Sequence, residues 1–265
     1  MQNLHCTIIQ TDLFWEDKSA NLSMLQDKIL AIKEKTHIVI LPEMFSTGFS
    51  MTPEILAESM HGETIQWMIK LAINKKVILT GSVMIKENNH YYNRLIWVLP
   101  NGEIGFYDKR HLFGYGKENE HYTPGNKRLI VSVNGWKINL CVCYDLRFPV
   151  WARQTKSENT NQPEYDLLIY VANWPEKRSH AWRSLLVARA IENQCYVVGV
   201  NRIGEDGNNI YHSGDSMVIG PLGETLFSKQ HEECVQTIIL EKSNLDEVRL
   251  QFPFLRDADT FILPT

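Results

Sequence analysis

Leu140-Cys141-Val142-Cys143-Tyr144-Asp145-Leu146-Arg147-Phe148-Pro149 is an apolar run that breaks abruptly into a polar turn. The β-like stretch Trp136 to Cys143 ends on a thiol. A thiol at a strand end, just before a turn, is placed to face a cleft. Period-2 alternation sets Cys141 on the same face as Cys143, and a slip of one residue would turn Val142 there instead. Facing alone therefore does not choose between the thiols. A cysteine in an apolar strand is also an ordinary small buried hydrophobe. Any chemistry has to come from what else the chain brings to the same place.

Outward from this stretch, strands and helices alternate. Leu4 to Gln10 reads as a strand and Lys18 to Thr36 as a helix, with Leu22, Leu25, Ile29 and Ile32 on one face. His37 to Leu41 is almost continuously apolar, as a strand covered on both faces is, and Pro42 ends it. A helix follows over Thr64 to Asn74 and a strand over Val77 to Met84. Tyr91 to Leu99 and Ile104 to Tyr107 flank the turn Pro100-Asn101-Gly102, and Arg128 to Val133 pairs with Trp136 to Cys143 about Asn134-Gly135. Between these hairpins lies a long loop from Asp108 to about Asn126, and long loops are often functional. Lys156 to Glu164 reads as a polar, insertion-like loop. Strands are expected over Asp166 to Ala172, Cys195 to Val200 and Cys234 to Leu240, a helix over His180 to Asn193, and a hairpin about Pro221-Leu222-Gly223. Ser243 can N-cap a last helix, Asn244 to Gln251, which Pro253 stops. The hairpins exclude an all-parallel sheet. The expectation is one α/β domain over residues 1–265, with mixed sheets and helices on the outer faces.

Composition bounds the function. The 265 residues carry a net charge of −4, with 22% charged and 44% hydrophobic residues, ordinary values for a water-soluble domain. No basic patch is present for nucleic acid or an anionic membrane. No apolar run reaches the roughly 20 residues of a membrane span, and no signal peptide is expected. The five cysteines have no scaffold spacing, which favours reduced thiols in a cytoplasmic setting. Cys141-x-Cys143 is not a zinc or CxxC redox pattern, and no metal site is expected. Two strand residues span about 6.6 to 6.8 Å, at the limit for a disulfide, so redox pairing of Cys141 with Cys143 ranks below hydrolysis.

Three reactive side chains occupy similar positions. Glu43 follows the strand ending at Leu41, Lys109 follows the strand ending at Tyr107, and Cys143 ends its own strand. Strand ends of one sheet converge on a common rim, where α/β sites form. A free thiol is mostly protonated at neutral pH. A carboxylate can take its proton and later return it to a leaving amine. A lysine ammonium supplies fixed positive charge for a growing oxyanion. Cys, Glu and Lys together suit acyl transfer from an amide or a nitrile. Singly, each has a plainer reading: a helix-start or surface carboxylate for Glu43, a solvated loop charge for Lys109.

Together the motifs resemble a known family. Leu41-Pro42-Glu43-Met44-Phe45, Tyr107-Asp108-Lys109-Arg110-His111-Leu112-Phe113 and Cys141-Val142-Cys143-Tyr144-Asp145-Leu146-Arg147-Phe148-Pro149 resemble, in order, the glutamate, lysine and cysteine motifs of the nitrilase superfamily of carbon-nitrogen hydrolases. Asn173-Trp174-Pro175 and Arg189-Ala190-Ile191-Glu192-Asn193 also look like family positions. The resemblance covers nearly the whole chain. It implies a four-layer αββα sandwich, a Glu43-Lys109-Cys143 triad, no metal and no cofactor. It also implies an oxyanion site made by Lys109 and the backbone N–H of Tyr144. Many relatives carry a second glutamate before a Pro-Gly turn. In Glu118-Asn119-Glu120-His121-Tyr122-Thr123-Pro124-Gly125, Glu118 is the better match by spacing and Glu120 the alternative.

Within the superfamily the chain looks most like the bacterial omega-amidases, through Glu43 to Phe49, Asp108 to Phe113 and Cys143 to Trp151. That resemblance implies hydrolysis of a small 2-oxo acid amide, 2-oxoglutaramate or 2-oxosuccinamate, with water as co-substrate. The rivals are an aliphatic amidase, an N-carbamoyl amide hydrolase, a nitrilase, or a non-catalytic small-molecule binder on the same fold. The substrate's distant carboxylate needs a cation. Arg147 is the candidate, with Arg110 as alternative; the plainer reading of Arg147 is a brace for its loop through Asp145 or Glu192. Phe45, Phe113, Tyr115 and Trp174 are expected to wall the pocket. A homo-oligomer, dimer or larger, is expected, with His180 to Asn193 and the C-terminal tail as contact surfaces.

Overall fold

The computed structural model describes residues 2–155, 162–259 and 261. The polar loop read over Lys156 to Glu164 thus falls mostly outside the described residues, as does part of the C-terminal tail. Two sheets stack face to face. The first runs β13 (Cys234–Leu240), β1 (Leu4–Gln10), β2 (Ile38–Ile40), β3 (Ile78–Glu87), β4 (His90–Val98), β5 (Ile104–Asp108). The second runs β10 (Ile203–Glu205), β11 (Tyr211–Ile219), β9 (Tyr196–Asn201), β8 (Leu167–Ala172), β7 (Trp136–Val142), β6 (Ile130–Val133), with β12 (Thr225–Gln230) also on β11. The pairs β1–β2–β3 and β7–β8–β9 are parallel, and every other pairing is antiparallel.

Alternation along the strands explains the layers. Leu4, Cys6, Ile8, Ile38, Ile40, Leu95 and Trp97 face Trp136, Ile138, Leu140 and Val142 in one inner core between the sheets. The intervening Ile9, Val39, Leu79 and Ile96 point outward, onto Leu22, Leu25 and Ile29 of α1 (Lys18–Leu30) and Ile65, Met68 and Ala72 of α3 (Glu63–Lys75). On the far side, Trp182, Leu186 and Ala190 of α6 (Ser179–Asn193) cover the second sheet. Fully burying each such aliphatic side chain contributes about 1.5–3 kcal/mol. The result is the expected four layers, helix, sheet, sheet, helix.

Local differences from the sequence reading have local causes. Helix α1 stops at Leu30; Ile32 is buried on the same core although it follows the helix end. The last helix, α7 (Lys242–Gln251), begins before Ser243, with Glu241 at its N-cap position. Three short helices were not expected: α2 (Pro53–Leu56), α4 (Glu118–His121) and α5 (Pro149–Ala152). Two of them start on proline, whose fixed φ suits a first helical residue.

His212 on β11 is buried, and its Nδ1 lies 3.3 Å from the Gly204 carbonyl oxygen. Burial first, and the nearby Arg202 second, lower its pKa from 6.5 to about 4. The unfolded chain therefore takes up a proton between pH 6.5 and 4 that the folded chain refuses, and stability falls as pH drops through that window by about 3 kcal/mol. Urea unfolding of His212→Gln should show a flatter stability profile from pH 7 to 4 than wild type. Parallel profiles would remove His212 from this account.

Candidate active site

The carboxyl ends of parallel strands open onto one rim, and the candidate residues lie there. Glu43 follows β2 and Lys109 follows β5, strands that run the same way in the first sheet. Cys143 follows β7 in the second sheet. The convergence is therefore between two sheets rather than within one, as the sequence reading had it. Asn173 follows β8, and Asn201 ends β9 on the same side.

Lys109 is fully buried, and its Nζ meets two carboxylates: Glu43 Oε1 at 2.9 Å, and Glu118 at 3.0 Å (Oε1) and 2.8 Å (Oε2). Burial opposes its charge, but Glu118 and Glu43 more than offset that, so its pKa is raised. Asn93, in the middle of β4, ties the two acids together. Its Nδ2 donates to Glu43 Oε1 at 2.7 Å and to Glu118 Oε1 at 3.0 Å. The other Glu43 oxygen accepts the Asn173 N–H at 2.8 Å, and Asn173 Nδ2 donates to the Glu43 carbonyl at 2.5 Å. Glu118 Oε2 also accepts the Phe113 N–H at 2.6 Å. Burial, reinforced by Glu43, raises the Glu118 pKa against the pull of Lys109. Glu118 is fully buried here while Glu120 is exposed, so of the two acids in that segment only Glu118 reaches the lysine.

The Cys143 thiol lies close enough to Glu43 to feel its charge. Burial, then Glu43, pushes its pKa well above the usual thiol range, and Lys109 offsets this only in part. The resting sulfur is thus a thiol beside a carboxylate. Its backbone explains how it arrives there. Cys143 is not the last strand residue; it opens a 3-10 turn, Cys143–Arg147, at φ +42°. Non-glycine residues rarely adopt this left-handed conformation, and Met44, next to Glu43, shares it at φ +44°. Such strain persists where surroundings enforce it. Asp145 does so for the turn, accepting from the Val142 N–H at 2.9 Å, Tyr107 Oη at 2.8 Å and the His111 N–H at 2.9 Å. Ser82 Oγ does so for Met44, accepting its N–H at 2.8 Å. The twist at Cys143 also parts the two thiols. Cys141 stays in β7, fully buried beside Tyr170 on the helix side, and both cysteines are free.

The loop that carries Glu118 is anchored on the lysine strand. Gly125 N–H donates to the Lys109 carbonyl at 2.9 Å, and a Cβ at Gly125 would sit 2.2 Å from the Asp108 carbonyl oxygen. Only glycine allows this approach.

The remaining expected residues divide. Tyr144 is the second residue of the 3-10 turn, where N–H groups lack intrahelical partners. Trp174 is nearly buried, with the Arg147 guanidinium 4.9 Å from its ring. Arg147 makes no ion pair among the described residues; Asp145 and Glu192 are engaged with other groups. Arg110 donates to the Gly125 carbonyl and stacks on Trp151 instead. Phe113 meets Tyr144 edge-on at 5.0 Å. Phe45 does not wall a pocket: it is fully buried in the outer core, tilted against Trp67 with its ring beside Gly81. Tyr115 projects into solvent at 87% exposure. Asn93 and the Asn173 N–H were missed as site groups. An asparagine inside the apolar strand Tyr91 to Val98 is the available signal, since a buried amide must find partners. No cluster of three or more His, Cys, Asp or Glu side chains suited to a metal occurs among the described residues.

The model of the carbon-nitrogen hydrolase family matches residues 6–249. This chain is a carbon-nitrogen hydrolase. Among its relatives, the Omega-amidase YafV of Escherichia coli K12 is 43% identical over 265 residues, covering 99% of this chain and 100% of that protein. The 2-oxoglutaramate amidase of Bacillus subtilis 168 is 31% identical, covering 94% and 95%. The crystal structure of XC1258 from Xanthomonas campestris, a CN-hydrolase superfamily protein with an arsenic adduct in its active site, superposes with a TM-score of 0.96 at 41% identity over the full length of both chains.

In this carbon-nitrogen hydrolase, Asn93→Ala removes the donor shared by two buried acids. Leaving such groups short of a partner costs about 1–3 kcal/mol. Urea unfolding should show a loss of that size, whereas an unchanged midpoint would mean that Asn93 does not bind the acids together.

Proposed function

We propose that this carbon-nitrogen hydrolase is an omega-amidase, which hydrolyses the distal amide of 2-oxoglutaramate or 2-oxosuccinamate to the 2-oxo acid and ammonia. The observation that carries the chemistry is the Glu43 carboxylate beside the Cys143 thiol, held in one orientation by Lys109, Asn93 and the Asn173 N–H. The 43% identical omega-amidase and the 31% identical 2-oxoglutaramate amidase support the substrate class.

The geometry supports this catalytic sequence. Glu43 accepts the Cys143 proton as the sulfur attacks the amide carbon. The carbonyl oxygen gains the charge, and Lys109 and the Tyr144 N–H hold it. Glu43 returns the proton to nitrogen, the C–N bond breaks, and ammonia leaves a thioester on Cys143. Glu43 then takes a proton from water, whose oxygen attacks the thioester, and the sulfur departs with that proton. Glu118 keeps Lys109 charged and in place. Arg147, seated on Trp174 and free of carboxylates among the described residues, binds the substrate's far carboxylate, with Phe113 against Tyr144 beside it.

The whole chain, 1–265, acts as one catalytic domain in this reading, without cofactor or metal. Its five unpaired thiols support a reducing compartment, the cytoplasm. A homo-oligomer, dimer or larger, is part of the proposal. Exposed Ile191 on α6 and Leu222 on the adjoining turn support it.

Ammonia release from 2-oxoglutaramate, glutamine, simple amides, ureido acids and nitriles tests the assignment. 2-Oxoglutaramate should be turned over fastest, and faster release from any other compound would overturn the substrate. Cys143→Ala and Cys143→Ser should lose roughly 10³-fold or more of the rate with the fold intact. Glu118→Ala should lose most of it and Glu120→Ala none; the reverse pattern would exchange their roles.

A further inference from the structure

Most arginine side chains in this protein are satisfied internally. Six pair with carboxylates, and Arg110 and Arg153 donate to main-chain carbonyls. Among the described residues, Arg147 and Arg178 do neither. Each guanidinium rests on an aromatic face, Arg147 on Trp174 at 4.9 Å and Arg178 on Phe113 at 5.2 Å. Both side chains are half-buried.

The two seats border the same set of buried acids and thiol. Trp174 follows Asn173, whose N–H holds Glu43. Phe113 gives its N–H to Glu118, and its ring meets that of Tyr144, the residue after Cys143. They are also tied to each other, because Trp174 Nε1–H donates to the Arg178 carbonyl at 2.9 Å. Each cation–π seat holds its guanidinium in place but supplies no counter-ion. It leaves all the guanidinium N–H donors available to an anion from outside.

We propose that Arg178 is a second specificity-determining residue of this site, binding the 2-oxo-carboxylate end of the substrate together with Arg147. The inference rests on the omega-amidase reading. That end of the substrate presents a carboxylate with a ketone oxygen beside it. One planar guanidinium fork matches the two carboxylate oxygens. The ketone oxygen then still needs a donor, and the second cation supplies it. A neutral alkyl amide offers neither cation a partner. Discrimination therefore lies in the pair of arginines, while the bond-breaking groups stay indifferent to what the far end carries.

The test compares kcat/KM for 2-oxoglutaramate and for butyramide in wild type, Arg178→Gln and Arg178→Met. The methionine variant keeps an apolar stem against Phe113 and removes the donors. In both variants the ratio of 2-oxoglutaramate to butyramide should fall roughly tenfold or more, as expected for a lost charge-assisted hydrogen bond. The change should appear chiefly in KM. Iodoacetamide should label Cys143 at the wild-type rate, showing an intact site. An unchanged ratio in both variants, or an equal fall on both substrates, overturns the role of Arg178 alone. Wild type that releases ammonia from butyramide but not from 2-oxoglutaramate overturns the omega-amidase reading, and this inference with it.

Discussion

A lysine ammonium buried between two carboxylates is the constraint on which the rest of this molecule depends. An isolated charge at that depth would be strongly unfavourable, and removing one partner from such a set leaves an uncompensated buried ion. Glu43, Lys109 and Glu118 therefore stand or fall together, with Asn93 as the neutral clasp. Each comes from a different segment: the end of β2, the end of β5, the loop beyond it and the middle of β4. Satisfying the ammonium thus also fixes how those segments meet.

The same arrangement sets the state of the sulfur. Lys109 lowers the cost of a thiolate, but burial and the nearby acids weigh more, so the resting Cys143 keeps its proton. A thiol held this way is quiet until a substrate carbonyl arrives to take up the charge. In the proposed reaction the adjacent Glu43 is the acceptor, because three donors already hold its oxygens in one orientation. The strained backbone at Met44 and Cys143 places these two groups against each other. Asp145 and Ser82 enforce that strain from outside the reacting set.

Much of this was legible in the sequence. The apolar, β-like runs Leu4 to Gln10 and Trp136 to Cys143 read as strands, and the structure has strands over Leu4–Gln10 and Trp136–Val142 because both are packed on neighbouring layers. The positions of Glu43 and Lys109 just after strands were visible for the same reason, and Cys143 was read as the last residue of a strand that stops one residue before it. The orientation of Cys143 was not visible. Period 2 holds only while the backbone stays extended, and at φ +42° the thiol leaves the face that Cys141 keeps. Phe45 misled because an aromatic near a catalytic acid serves the core as readily as the pocket, and here Gly81 leaves space for its ring. The choice between Glu118 and Glu120 needed the one-turn helix α4, too short to register as periodicity. Asn93 was hidden because its meaning lies wholly in partners 50 and 25 residues away.

The central claim is that the carbon-nitrogen bond is broken by transfer of the acyl group to Cys143. Rapid quenching of the enzyme within its first turnover of 2-oxoglutaramate, followed by peptide mass spectrometry, tests it most directly. The account predicts that the peptide bearing Cys143 gains the mass of the substrate less ammonia, and that this adduct decays as the 2-oxo acid appears. Product formed with Cys143 unmodified throughout, or the adduct on another residue, would contradict it.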